Sequence, residues 1–177
     1  MKFIYLIIFI CIFFLSKIVF AQTIAVVNIQ SLIDNNFYFK EIMKDMEINQ
    51  EKYLEKFEIK EKELSDKLKD LEQSKLILNE IEINTQIDNY NEELTVFTLT
   101  VEEFNLHYQN QVINIKEIIL KEIFILLEKY AIENQVDLIL DSTSYLIASN
   151  SIDITEIIKN RLQNINLKLE YINFEKN

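Results

Sequence analysis

The segment from residue 37 to residue 134 contains nothing that must interrupt a helix, because the whole 177-residue chain has neither glycine nor proline. In its second half, apolar residues recur at spacings that alternate between four and three, which is typical of a helix packed along a coiled-coil seam. They are Ile83, Ile87, Tyr90, Leu94, Phe97, Val101, Phe104 and Tyr108. A long helical arm of this kind suits a protein that holds, clamps or spaces a partner.

The complete absence of glycine also excludes some classes of site. Glycine-rich phosphate loops and dinucleotide fingerprints need backbone conformations that other residues do not readily adopt. An AT-rich coding sequence would account for much of the bias, since alanine and arginine, which share GC-rich codons with glycine and proline, are also scarce. We therefore expect no nucleotide bound through such loops, and the sequence predicts no cofactor.

The first 21 residues have the pattern of a signal peptide. Lys2 provides a positive start, residues 3–15 are continuously apolar, and residues 19–21 (VFA) fit the small-residue cleavage pattern. The alternative is an uncleaved membrane anchor, although the apolar run is short for a membrane span and Lys17 interrupts it. Because the only cysteine, Cys11, lies in this segment, we expect the mature chain to lack disulfides, cysteine-based metal sites and thiol nucleophiles.

The charge of the mature chain argues against polyanionic partners. Two of the 18 basic residues and none of the 29 acidic residues lie in the first 21 positions, so the mature net charge is −13. Such a surface repels nucleic acid and anionic membranes. No lysine or arginine occurs from residue 76 to residue 115, a stretch that carries seven acidic residues. They are Glu80, Glu82, Asp88, Glu92, Glu93, Glu102 and Glu103.

The long helical segment divides into two arms. The first arm has a seam of its own, formed by Tyr53, Phe57, Leu64, Leu71 and Leu78. A turn is predicted near residues 74–79, since Asn79 followed by Glu82 makes a capping box for the second arm. At 1.5 Å per residue, the first arm is about 60 Å long and the second, residues 80–134, is about 80 Å long. We therefore predict an antiparallel hairpin whose second helix continues past the base.

The remaining segments predict a small body from which the hairpin projects. Residues 118–132 are apolar on most sides, which indicates a helix buried in that body. Apolar runs predict three short strands, at residues 24–29, 136–141 and 144–148. Two short helices are also predicted, one within residues 30–36 and one over residues 154–162, the latter capped by Asp153 with Glu156.

The predicted fold class is α+β and mostly α, with a long antiparallel helical hairpin on a small β body. The predicted division is a signal peptide (1–21), an oligomerisation body with strands (22–36 and 118–162), a helical arm (37–117) and a tail (163–177). A sheet of three short strands with open edges is a pairing hazard. Oligomerisation through that sheet would remove the hazard and enlarge the core.

This order of elements resembles the Skp (OmpH-like) family of periplasmic chaperones. The segments that carry the resemblance are residues 24–28 (IAVVN), 136–141 (VDLILD) and 148–155 (ASNSIDIT), which flank the hairpin. The sequence departs from the family at Asn28 and Asn150, where members often have Asp and Pro. The resemblance covers essentially all of the mature chain, and its discriminating part is the segment from residue 136 to residue 162.

The resemblance implies a homotrimer in the periplasm. The strands of three subunits would form a central β-barrel, and three helical hairpins would surround a cavity. Family members hold unfolded outer-membrane β-barrel proteins there without ATP, which agrees with the absence of phosphate loops. Well-known members have basic arm tips that contact lipopolysaccharide. Because the corresponding part of this chain is acidic, we do not extend lipopolysaccharide binding to it.

A site that holds unfolded chains needs apolar surface that is exposed but divided. Outside the seam, the second arm carries Val96, Leu99, Leu106 and Ile113, of which the last three are seven residues apart. We predict that this apolar stripe faces the cavity and contacts client. The alternative is that the stripe packs against the first arm or broadens the seam. A second hypothesis is that the acidic arm attracts basic client segments, the alternative being a solvated face that confers solubility.

No catalytic constellation is visible, so the chain is not predicted to be an enzyme. His107 is the only histidine and lies beside the seam residue Tyr108, which indicates a flanking role rather than a metal ligand. Asp137 and Asp141 share a strand face, but strand-end and turn roles are predicted for them because no nucleophile accompanies them. The alternative to a chaperone is a structural or tethering coiled-coil protein of the envelope, anchored by residues 3–20.

Overall fold

The computed structural model describes residues 22–75 and 77–175, so the predicted signal peptide lies outside the described residues. Two strands and four helices follow one another in the order β1, α1, α2, α3, β2, α4. Their bounds are β1 Ile24–Val27, α1 Ile29–Asp34, α2 Phe37–Ser74, α3 Glu80–Asn134, β2 Leu138–Asp141 and α4 Thr155–Gln163.

Helices α2 and α3 form the predicted antiparallel hairpin. Near the middle of both helices, the rings of Tyr53 in α2 and Phe104 in α3 are in contact, with centroids 5.5 Å apart. Nearer the turn, Lys60 forms an ion pair with Glu93 at 3.5 Å. Leu64 and Leu71 of the predicted seam are buried. With 38 and 55 residues, the helices measure about 57 Å and about 83 Å.

At the start of both long helices, side chains accept hydrogen bonds from backbone N–H groups that have no partner within the helix. The capping box predicted for α3 is present: the Asn79 side chain accepts from the Glu82 N–H at 3.0 Å, and the Glu82 carboxylate accepts from the Asn79 N–H at 3.4 Å. At the start of α2, the buried Asn36 accepts from the Phe39 N–H at 3.0 Å. Each cap contributes about 1 kcal/mol to its helix.

The body is built on a parallel pair of strands. β1 pairs with β2 in a register that places Ile24 opposite Leu138 and Val27 opposite Asp141. On the other side of β1, Val26 forms an isolated parallel bridge with Asp153. Residues 25–27 are therefore enclosed on both edges and are buried. The other edge of β2 pairs with no strand in the described part of the chain.

Helix α4 docks on the last turns of α3 and closes the body. Ile158 and Leu162 are buried with Ile119 and Ile123 in one apolar core. At the rim, Arg161, the only arginine, forms an ion pair with Glu133 at 2.8 Å. Its guanidinium also lies 5.4 Å from the centre of the Tyr130 ring. Core burial and the rim contacts together fix α4 against α3.

The predicted third strand, residues 144–148, is not formed, so one chain has two strands and a bridge rather than three strands. A 3-10 turn, Ser142–Ser144, follows β2 directly, and a second one, Asn150–Ile152, precedes the bridge. Leu146 and Ile147 between them are 101% and 92% exposed. An apolar run becomes a strand only beside a partner, and the described part of the chain pairs no strand with this one.

Two further predictions about the body need correction. Within residues 118–132 only one side of α3 is buried, through Ile119, Ile123, Leu126 and Leu127, whereas Ile118, Phe124, Ile125 and Ile132 are exposed. The wholly buried helix predicted there is wrong for a single chain, because the body covers one face only. The predicted capping box of α4 is also absent: Asp153 accepts from the Thr155 N–H at 2.8 Å, and Glu156 instead pairs with Lys159.

The two aspartates that flank β2 have the predicted strand-end and turn roles. The Asp137 carboxylate accepts from the Thr23 N–H at 2.8 Å. The Asp141 carboxylate accepts from the Thr143 hydroxyl at 2.6 Å and from the Ile29 N–H at 3.1 Å. The Thr143 hydroxyl, followed by the Ile29 N–H, holds the pKa of Asp141 below its usual value despite the opposing effect of burial.

Asp141→Ala should lower the free energy of unfolding by about 1–2 kcal/mol near neutral pH, because the Ile29 and Thr143 N–H groups lose their acceptor. The folded-state pKa of Asp141 is depressed, so its contribution is complete above the unfolded value of 3.8 and is lost as the pH falls through the folded value. Urea unfolding of both proteins over an acid pH series measures this difference. A gap that stays constant to the lowest pH would contradict the role of the ionised carboxylate.

Candidate functional site

The apolar stripe predicted on the second arm lies on the outside of the hairpin seam. Val96, Leu99 and Leu106 are 53%, 50% and 50% exposed, and Ile113 is 45% exposed. Seam residues of the same helix, such as Phe104, are buried. Within one chain, about half of each of these side chains is exposed and available for other contacts.

The first arm carries a comparable set of exposed apolar residues. These are Ile48, Leu54, Ile59 and Leu68, spread along α2. Charged residues separate them, since α2 also contains many lysine and glutamate side chains on the same exposed faces. Both arms thus present apolar surface in small, separated pieces, which is the form that remains soluble in the absence of a partner.

An aromatic cluster joins the two arms about halfway along α2. It consists of Tyr53 and Phe57 of α2, Phe104 and Tyr108 of α3, and Phe174 from the C-terminal tail. The rings meet mostly edge to face, with Phe57–Phe104 centroids 5.1 Å apart and Phe104–Tyr108 centroids 5.0 Å apart. Such pairs add to the stabilisation that burial of their area provides.

The tail contributes to this site, which the sequence did not predict. After α4, residues 164–175 run back along the hairpin without forming a helix or a strand, and Leu167 and Phe174 are buried. Its weak alternation of apolar and polar residues was the only sequence signal. His107 has a flanking role as predicted, but its partner is the tail: its Nε2 lies 2.6 Å from the Ile172 carbonyl oxygen.

The second arm presents a charged side chain, Glu93, to the first arm. Glu93 faces the first arm, where it pairs with Lys67 and Lys60, while the predicted seam residue Leu94 is exposed. The hydrogen bond from the Lys67 ammonium holds the pKa of the Glu93 carboxyl below its usual value. Since these side chains are largely solvated, the pairs fix the register of the arms more than they stabilise them.

A groove of about 470 Å³ opens between the arms next to the aromatic cluster. Its apolar wall consists of Phe57, Val96 and Phe97, so it includes one residue of the apolar stripe. Lys60 and Glu93 lie at its polar rim. No group of three or more histidine, cysteine or acidic side chains within residues 22–75 and 77–175 could hold a metal ion. No helix in those ranges is long and apolar enough to cross a membrane.

The sequence profile of the family described as "Outer membrane protein (OmpH-like)" matches residues 23–162. The chain belongs to the OmpH-like family. The match includes both strands, both arms and almost all of α4, and it ends where the tail begins. No curated protein matches the sequence.

The fold is also similar to that of a solved structure from Caulobacter crescentus CB15, described as an outer membrane chaperone (OmpH-like). The two share 11% sequence identity with a TM-score of 0.59, over 86% of this chain and 92% of that one. At this identity the likeness concerns the fold, and it shows that the small body with a long hairpin recurs in an OmpH-like protein.

Phe104→Ala should lower the free energy of unfolding by about 3–5 kcal/mol, because it removes the ring that contacts four other aromatic residues in the buried seam. The matched control is Leu106→Ala, two residues away on the exposed stripe, which should change stability by no more than about 0.5 kcal/mol. Urea unfolding followed by circular dichroism compares the two. Equal losses would mean that the stripe is as structural as the seam.

Proposed function

We propose that this protein is an ATP-independent periplasmic holdase, which binds unfolded outer-membrane β-barrel proteins between its helical arms and prevents their aggregation. Membership of the OmpH-like family supports a chaperone role, as does the fold shared with an outer membrane chaperone. The observation that carries the proposal is the divided apolar surface of the arms, above all the half-exposed stripe Val96, Leu99, Leu106 and Ile113.

Binding through such a surface requires no chemical step. An unfolded β-barrel strand has apolar side chains at every second position, and each can contact one exposed leucine or isoleucine of an arm. Individual contacts are weak, so a client remains mobile and can be released without nucleotide hydrolysis. Many contacts acting together still retain it, because each bound segment raises the effective concentration of the next.

The proposed assembly is a homotrimer held together by the body, residues 22–36 and 118–162. Three exposed features of a single chain support it. The outer edge of β2 pairs with no strand within the described residues, Leu146 and Ile147 contact solvent, and α3 has an exposed apolar side with Phe124 and Ile125. Open strand edges and apolar surface of this kind are covered when subunits associate. The arms, residues 37–117, would then surround a shared cavity.

The proposed location is the periplasm, reached through a signal peptide at residues 1–21. Oxidative folding would have no role there, since the mature chain would lack cysteine. A tether that remains anchored by residues 3–20 would make no use of the exposed stripe. Client protection by the mature chain therefore distinguishes the two functions.

The acidic second arm is proposed to select clients by charge. From residue 77 to residue 115 the arm has acidic but no basic side chains, so it repels lipopolysaccharide and attracts basic segments of unfolded chains. Salt screens such attraction over about 10 Å at 0.1 M. Client affinity should therefore fall as the salt concentration rises. Affinity that is independent of salt would show that the acidic face serves solubility alone.

Leu99→Ser, Leu106→Ser and Ile113→Ser combined should weaken client binding by about 2 kcal/mol, or roughly thirtyfold in Kd, because half-exposed apolar side chains lose their contacts with client. The assay dilutes an unfolded outer-membrane β-barrel out of denaturant, without ATP, and follows its turbidity. The wild type should suppress aggregation, and the triple variant should need a higher concentration to do so.

The matched control replaces three similarly exposed residues of the first arm, Leu54, Ile59 and Leu68, with serine. If the stripe is the main contact surface, this control should retain more protection than the stripe variant. Equal loss in both would contradict the special role of the stripe while leaving the holdase function intact. Loss of helicity or of assembly in the stripe variant would show instead that the stripe is structural.

A further inference from the structure

The tail occupies its groove in the manner of a bound peptide. Its inward side chains alternate with exposed ones from residue 165 to residue 171. The backbone there closes two three-residue turns, in which the Leu167 and Leu169 N–H groups donate to the carbonyl oxygens of Ile165 and Leu167 at 3.0 Å. Leu167 is buried, and Ile165, Leu169 and Tyr171 are half-buried. Phe174 then packs its ring against both Tyr53 and Phe104, with centroid distances of 5.4 Å to each.

Two of the three described hydrogen bonds from the arms to the tail are made to carbonyl oxygens of the tail backbone. The Tyr53 hydroxyl donates to the carbonyl oxygen of Phe174, and His107 Nε2 donates to that of Ile172 at 2.6 Å. The third hydrogen bond is made to a side chain of the tail, since Asn49 donates to the Tyr171 hydroxyl. Every peptide has carbonyl oxygens at this spacing, so the first two contacts are available to an extended segment of any sequence.

The fit of the tail is incomplete at one polar atom. The Tyr108 hydroxyl is buried and has no hydrogen-bond partner among the described residues. Burial raises the pKa of the Tyr108 phenol, and the Phe174 backbone acts in the opposite direction. No hydrogen bond of normal geometry joins the Tyr108 hydroxyl to Phe174.

The open groove between the arms shares the Phe57 ring with the aromatic cluster that Phe174 joins. Phe57 contacts Phe104 in the aromatic cluster and also Phe97, at 6.0 Å, on the wall of the 470 Å³ groove between the arms. Val96 of the apolar stripe lies on the same wall. A longer extended segment could therefore occupy this open section first and then replace the tail along the rest of the groove.

We propose that the groove between the arms at Tyr53, Phe104 and His107 is a binding site for extended peptide segments with alternating apolar residues and an aromatic anchor. The tail is its resident occupant, which a client segment displaces. This proposal rests on the holdase function and extends it, because it assigns one defined subsite to clients and a competing role to residues 164–175. The family match ends at residue 162, so the competitor lies outside the matched region.

The test uses the full mature chain and a labelled peptide with the sequence of residues 164–175. Tyr171→Ser with Phe174→Ser should release the resident tail, and the peptide should then bind at least about tenfold more tightly than it binds the wild type, because the resident tail no longer competes. Ile172→Ser is the matched control, since that side chain is exposed and its loss leaves the tail docked. A peptide carrying the two serines should not bind.

Equal peptide affinity for the wild type and the released variant would overturn the proposal. Because the double variant could also fold poorly, a second measurement uses the unaltered protein. Hydrogen exchange of the tail in the wild type should accelerate when an excess of the peptide is added, whereas a scrambled peptide should have no effect. Exchange that is unchanged by the matched peptide would likewise overturn the proposal.

These assays are separate from the assay of client protection. If the peptide displaces the tail but no unfolded β-barrel is protected, the groove is confirmed as a peptide site and the holdase function fails. If β-barrels are protected while the peptide neither binds nor displaces the tail, the holdase function remains and the assignment of this groove is wrong. If the peptide displaces the tail and unfolded β-barrels are protected, the released variant should also suppress aggregation at a lower concentration than the wild type.

Discussion

The parallel pairing of β1 with β2 is the constraint on which the rest of the molecule depends. Parallel neighbours need a crossover connection, and here that connection contains α1 and the whole helical hairpin. Because the chain must return to the sheet, the two arms run antiparallel. The 17 residues by which α3 exceeds α2 extend about 25 Å past the hairpin and supply the face against which α4 packs.

Sequence patterns predicted the features that local chemistry determines. The heptad spacing predicted two arms, the pair Asn79 and Glu82 predicted where the second begins, and the apolar runs at each end predicted β1 and β2. The sequence patterns failed where burial depends on residues distant in sequence or on a second chain. The pattern at Leu146 and Ile147 indicates burial but not which chain provides it, and the partners of Phe174 lie on the arms, far away in sequence. Glu93, beside the predicted seam residue Leu94, faces the first arm because Lys67 lies opposite it across the hairpin.

The candidate site follows the same division. The apolar stripe was predictable because Leu99, Leu106 and Ile113 repeat every seven residues outside the seam, and the structure places them at half exposure. The groove occupied by the tail was not predictable, since it combines side chains of both arms with a segment of weak periodicity. The arms thus carry two kinds of apolar surface: a half-exposed stripe, and a groove in which the tail is anchored by Tyr171 and Phe174.

The central claim is that several copies of this chain hold an unfolded β-barrel protein between their arms without nucleotide. The most direct test is the mass in solution of residues 22–177, alone and after mixing with an unfolded outer-membrane β-barrel, measured by light scattering behind size-exclusion chromatography. We expect a stable trimer that forms a discrete soluble complex with the β-barrel in the absence of ATP. A monomer or dimer, in whose presence the β-barrel precipitates as it does alone, would contradict it.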